Sequence, residues 1–279
     1  MIRILVDSTA DFSLEELKAR NISMVPLNVN FGEESLQDTI ELEKDQFYDR
    51  LINGTVHPKT SLPAPAAFLE KFEEAQAAGD QLICILLSGG ISGTWQSAVN
   101  AKEMLEYDGI YVIDSRTTAC GIRLLVEYAE KLIAEGLSAP EIAEKLEELK
   151  GRVQIFAAVG TLEYLHKGGR LSKAAATIGS LASLKPIITL NREGTLEVPG
   201  KCLGRTKALS WLSDALKKHP QDEQHALYAI YSYGTENAEK LQEQLKKEGY
   251  SVRDLIQIGS TIGTHVGPGA FGIIYVRKD

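Results

Sequence analysis

The stretch Leu87-Ser-Gly-Gly-Ile-Ser-Gly-Thr-Trp-Gln-Ser-Ala98 stands between two runs of different periodicity. Residues 81–87 before it are apolar and read as a buried strand, while residues 96–105 after it have helical spacing. Three glycines together with Ser88, Ser92 and Thr94 therefore fall where a strand turns into a helix. Glycine lets backbone approach a ligand closely, and a helix start offers unpaired N–H groups and a positive dipole end. That chemistry suits an anion, and the hydroxyls suit a carboxylate as well as a phosphate.

Around this turn the first half of the chain alternates strand and helix. Strands are predicted at 2–6, 22–29, 81–87 and 110–113, and helices over 41–53, 66–78 and 121–135. Capping-box pairs, Ser13 with Glu16 and Ser138 with Glu141, start two more. The three prolines of 57–65 are read as excluding regular structure there. The alternation implies a parallel sheet with helices on both faces, its ligand-binding loops gathered at one edge. Asp7-Ser8, the 88–94 loop and Asp114-Ser115 would all lie on that edge.

After Gly151 the order changes to α+β with a mixed sheet, including paired strands at 186–190 and 195–199 around a glycine-ended turn. The expected division is 1–150 and 151–279, with segment 60–80 packing on the second domain. Residues 259–269 are read as a glycine-rich turn carrying His265.

A net charge of −8 and a pI near 5.3 argue against nucleic acid as the main partner. No apolar run approaches the roughly 20 residues that cross a bilayer, so no stable membrane insertion is expected. The start, Met1-Ile-Arg-Ile-Leu-Val-Asp7, is too short and too quickly charged for a signal peptide. Cys84, Cys120 and Cys202 are far apart and read as reduced core thiols of a cytoplasmic protein.

No Walker lysine loop and no Gly-x-Gly-x-x-Gly is present, and the five histidines make no metal-type pair, so no cofactor is expected. Gly90-Ile-Ser92-Gly-Thr94 is similar to a nucleophile elbow, with Asp114 and His265 following in the order Ser, Asp, His. A serine hydrolase using Ser92, Asp114 and His265 is therefore the alternative function. Lys167, Arg170 and Lys173 set positive charge beside Gly168-Gly169, fitting an acidic partner or a phosphate. The small apolar residues of 121–134 and 174–190 read as core that leaves room for a long apolar ligand.

Taken together the motifs resemble the DegV family of bacterial fatty-acid-binding proteins. They are Asp7-Ser-Thr-Ala-Asp11, Lys59-Thr-Ser-Leu-Pro63, Ile91-Ser-Gly-Thr-Trp-Gln-Ser97, Val112-Ile-Asp-Ser115, Leu162-Glu-Tyr-Leu-His-Lys-Gly-Gly-Arg170, Lys185-Pro186 and Gly263-Thr-His-Val-Gly-Pro-Gly269. The resemblance implies two domains holding a long-chain fatty acid in a buried tunnel between them. It also implies a non-catalytic role: the carboxylate is presented to a separate ATP-dependent fatty acid kinase that makes an acyl-phosphate for phospholipid metabolism. Thr60, Ser61, Ser92, Gly93, Thr94 and His265 match the carboxylate-binding positions, with a protonated His265 expected to face the head group. Arg170, with Lys167 and Arg205 nearby, matches the kinase-docking region. The chain departs from the family pattern at Leu62, Gly89 and Leu203, where glutamine, serine and arginine are usual.

Overall fold

The computed structural model describes residues 1–171 and 184–278. In chain order the strands are β1 (Ile2–Asp7), β2 (Ile22–Val25), β3 (Asn28–Phe31), β4 (Glu34–Gln37), β5 (Lys59–Ser61), β6 (Gln81–Leu86), β7 (Ile110–Asp114), β8 (Val153–Ala158), β9 (Leu184–Leu190), β10 (Leu196–Leu203), β11 (Leu227–Tyr231), β12 (Val252–Gln257) and β13 (Phe271–Val276). The helices are α1 (Leu14–Ala19), α2 (Lys44–Asn53), α3 (Pro65–Ala78), α4 (Thr94–Glu103), α5 (Cys120–Ala134), α6 (Ala139–Lys150), α7 (Glu163–Lys167), α8 (Arg205–Lys218), α9 (Glu236–Lys247) and α10 (Ser260–Val266).

The N-terminal sheet runs β2-β1-β6-β7 with every pair parallel. The C-terminal sheet runs β10-β9-β8-β13-β11-β12 and is mixed, since only β11 and β12 pair in parallel. The expected α/β architecture is thus the observed one. Both predicted capping boxes form: Glu16 N–H donates to Ser13 Oγ at 3.1 Å, and Ser138 N–H donates to Glu141 Oε2 at 2.8 Å.

Three local expectations give way. The single strand at 22–29 is two strands, because Pro26 has no N–H to donate and the chain leaves the sheet there. The freed β3 joins β4 and β5 in a small antiparallel sheet ordered β4-β3-β5. β5 itself lies between Pro58 and Pro63, so the prolines flank a three-residue strand instead of forbidding one. The glycine-rich 259–269 segment contains a helix, α10. Gly263 costs helix propensity, but a β-carbon there would sit 2.6 Å from the Tyr48 hydroxyl, so close packing requires it.

One core cluster joins the two sheets through α5, with Ile83, Ile122 and Leu125 packed in the same body as Tyr228, Ile230 and Ile274. A second buries Phe68 and Phe72 of α3 with Leu82, Leu86 and Ala98. Of segment 60–80, then, β5 touches α10, whereas α3 packs on α4 and β6 of the parallel sheet. Another lies between the mixed sheet and helices α8 and α9. Most of the apolar run expected over 174–190 to border a ligand, residues 174–183, lies outside the described residues, as does Lys173.

Candidate functional site

The 87–93 loop follows β6 at the edge where the parallel strands end, and its backbone is tied down on several sides. Leu87 N–H donates to the buried Asp7 carboxylate at 2.6 Å, and Ser88 N–H to Thr117 O at 3.0 Å. Ser88 Oγ donates to Gly194 O at 2.8 Å, which couples the loop to the turn between β9 and β10. Gly194 holds φ +74°, and a β-carbon on it would fall 2.0 Å from Ser88 Oγ, so glycine is required on both counts. The loop then delivers Ser92, whose Oγ lies 2.9 Å from Thr94 Oγ1 and accepts from Thr94 N–H at 3.3 Å. Gly93 forms the cap position of α4.

His265 comes from the other end of the chain, on α10. Its Nε2 lies 2.9 Å from Thr60 Oγ1, and its Nδ1 has no partner among the described residues. A β-carbon at residue 168 would sit 2.2 Å from Nδ1, so the first glycine of Gly168-Gly169 is what lets α7 close over the ring. The residue is only 9% exposed. Burial, reinforced by the positive charge of Arg170 and the neighbouring His57, lowers its pKa to about 4. Desolvation therefore favours the neutral imidazole at pH 7.

Thr60, Ser92 and His265 border one cavity of about 810 Å³, mouth included, and Arg170 is a fourth member. These four are neighbours. Besides the Thr60–His265 contact, Arg170 Nε donates to Ile91 O at 3.3 Å, and Leu62, close to Thr60 in sequence, would contact a Gly93 β-carbon at 3.1 Å. Elsewhere the wall is mainly apolar and drawn from both halves of the chain, with Leu27, Leu87 and Ala119 facing Ile188, Ile230 and Ile258.

Not every expected residue reaches the cavity. Ser61 Oγ accepts from Asn30 on the exposed side of β5, at 3.2 Å, and Thr94 is turned onto Ser92. Lys167 is paired with Glu163 at 2.6 Å, and Arg205 with Glu236 at 3.0 Å. Arg170, expected only at a docking surface, is also part of the wall. Its sequence neighbourhood gave no sign of that, because the contact depends on how α7 folds back over α10.

The hydrolase triad is not assembled. His265 bonds Thr60, Ser92 bonds Thr94, and Asp114 Oδ1 accepts from the backbone N–H groups of Gly89 at 2.9 Å and Arg116 at 3.0 Å. Among the described residues the serine has no base and the histidine has no orienting carboxylate, so the Ser, Asp, His order carried no geometry.

A parallel sheet and a mixed sheet sharing a core, with an apolar cavity between them closed by hydroxyls, a histidine and an arginine, define the class. The chain belongs to the DegV family, whose sequence model, described as that of uncharacterised proteins, matches residues 1–278. A DegV domain-containing protein of Caldanaerobacter subterraneus subsp. tengcongensis is 35% identical over 279 residues, covering 99% of both chains. The solved structure of DegV, a fatty acid binding protein from Bacillus subtilis, is similar at 34% identity and a TM-score of 0.86, with 99% of each chain covered. A stearic acid-binding protein from Eubacterium ventriosum is similar at 26% identity and a TM-score of 0.88, covering 100% of this chain and 99% of its own.

Proposed function

We propose that the chain holds one long-chain fatty acid in this cavity, as a tunnel for the tail with the carboxylate at Thr60, Ser92 and His265. The observation that carries the reading is the cavity itself, apolar along its length and polar where the 87–93 loop meets α10. The fatty-acid-binding relatives support the choice of ligand.

Burying about 14 methylenes at roughly 0.8 kcal/mol each gives on the order of 11 kcal/mol gross. Hydrogen bonds to a charged head contribute about 1.5–3 kcal/mol each. The tail thus sets affinity and the head-group residues set position. A carboxylate bound beside His265 favours its protonation and a charge-assisted hydrogen bond.

Position matters because the protein presents the carboxylate, at a mouth shared by Ser92, Gly93 and Arg170, to a separate ATP-dependent kinase that forms the acyl-phosphate. Arg170, with Lys167 and Arg205, supplies basic groups for an acidic kinase surface, and the chain acts in the cytoplasm as a non-catalytic subunit. Native mass spectrometry of freshly purified protein tests binding, and an added mass of a long-chain acid is expected. In His265→Ala that mass is expected to persist while kinase-dependent acyl-phosphate formation drops at least tenfold. Absence of lipid in the wild-type protein would end the reading.

A further inference from the structure

Helix α10 carries the head-group histidine, yet its own residues do not cap it: the N-cap is Gly259, which has no side chain to offer. The cap comes instead from two acids more than 200 positions upstream. Asp38 Oδ2 accepts from Thr261 N–H at 3.2 Å and from Thr261 Oγ1 at 2.6 Å. Asp11 Oδ1 accepts from Gly259 N–H at 2.8 Å. Both carboxylates are buried, at 1% and 3% exposed. A third donor, Ser8 Oγ at 3.1 Å, orients Asp38, and the same Ser8 Oγ accepts from Leu27 N–H at 3.1 Å.

The chain leading into α10 is gripped from the same side. Tyr48 donates to Ile258 O at 2.9 Å, and Lys44 Nζ to Gln257 O at 2.7 Å. Two buried carboxylates beside one lysine are a poor arrangement for stability alone, since each gives up hydration. They make sense if a seven-residue helix must be placed without freedom. A shift at Thr261 is transmitted through one rigid turn to His265.

We propose that Asp38, with Asp11, is the positioning residue of the head-group site: it locks the start of α10 so that His265 Nε2 meets Thr60 and the ligand carboxylate. This rests on the proposed role of His265 at the head group. The groups facing the acid pair are Asp7, Lys44, Tyr48, Cys120 and Arg123, and those facing His265 are His57 and Arg170.

The test follows the His265 ring resonance by NMR in lipid-free protein, assigned by its disappearance in His265→Gln, and then on addition of carboxyl-labelled palmitate. In Asp38→Ala the titration midpoint of His265 is expected to rise by more than one pH unit toward the ordinary value of about 6.5. Losing a nearby negative charge would by itself move that midpoint down, so a rise reports displacement of the ring into water. Asp38→Asn keeps an acceptor for Thr261 and is expected to stay at or just below the wild-type midpoint. Thr261→Val removes one donor and keeps the acid; a smaller rise is expected, which serves if Asp38→Ala does not fold. An unchanged midpoint in a folded Asp38→Ala, or in Thr261→Val where the first variant is unfolded, overturns the proposal. If palmitate leaves the wild-type His265 resonance unmoved, it is the head-group reading that fails, and the lipid-free titration still decides the role of Asp38.

Discussion

The two ends of the cavity are built differently. Its body is made of residues interior to regular elements, such as Ala157 on β8, Ile188 on β9 and Ile230 on β11, held by ladder hydrogen bonds on both sides. Its mouth is made of the places where elements stop: the loop after β6, the short β5, and a one-piece helix fixed by distant acids. Apolar burial is non-directional, so the body needs only volume and alternation. Hydrogen bonding to a carboxylate is directional, so the mouth needs each group fixed separately. The first property was written in hydrophobic periodicity, and the second in long-range contacts.

The harshest way to probe that contrast is to close the body. Ala157 is buried on the cavity wall, and Ala157→Phe would put a ring into the path of the tail. Displacing about four methylenes at roughly 0.8 kcal/mol each predicts about a hundredfold loss of lipid affinity. Overpacking is expected to cost about 1–3 kcal/mol of stability, leaving a folded protein. Native mass spectrometry reads the occupancy. Full occupancy with a native lipid would mean that the tail does not run past β8.

An effect of similar size separates the mouth from the acids behind it by the sign of its pH dependence. Folding lowers the His265 pKa from its ordinary 6.5 to about 4, so the unfolded chain binds the proton more tightly. Its contribution is neutral above pH 6.5 and becomes destabilising as pH falls toward 4, by up to about 3 kcal/mol. Burial does the opposite to Asp7 and Asp11, raising each from 3.8 to about 6. What they add to stability is fully present below pH 3.8 and is lost as pH rises through 6. Comparing lipid-free wild type with His265→Gln isolates the first effect. Between pH 7 and 4 the wild type is expected to lose about 3 kcal/mol relative to the variant, read by urea unfolding. Bound fatty acid should shrink that difference, because its carboxylate stabilises the imidazolium.

How much of this was legible beforehand follows the same division. β1, β6, β7 and the helices between them could be read from period and caps, since each carries its own apolar run or helix-start residues. Pro26 was visible in the 22–29 run, but that it sends β3 into a separate sheet depends on β4 and β5, short strands with no apolar signal of their own. The 259–269 segment misled because its glycines suit turns; the structure uses Gly259 and Gly267 at the ends of α10 and Gly263 against Tyr48. Ser92 and His265 were picked out as a hydroxyl and a histidine among glycines, and Thr60 through the family resemblance; all three line one cavity. Asp38 had no such setting, and nothing local announces that a residue after β4 will cap a helix at 260. A wrong triad arose from the same blindness: chain order is local information, and the Thr60–His265 contact is not.

The gentlest test bears on a single hydrogen bond. Thr60 sits on β5 opposite Val29, a strand position where valine is equally at home and keeps the branched shape. Thr60→Val therefore removes the 2.9 Å contact to His265 Nε2 and little else. A net hydrogen bond is worth about 1 kcal/mol, which corresponds to about a fivefold change. If the tail sets affinity, lipid exchange measured with a fluorescent fatty acid should stay within twofold of wild type. If the mouth sets position, the fivefold loss should fall on kinase-dependent acyl-phosphate formation instead. A matching fivefold rise in lipid release would show the two ends sharing one role, because the head group would then be helping to hold the chain and not merely to place it.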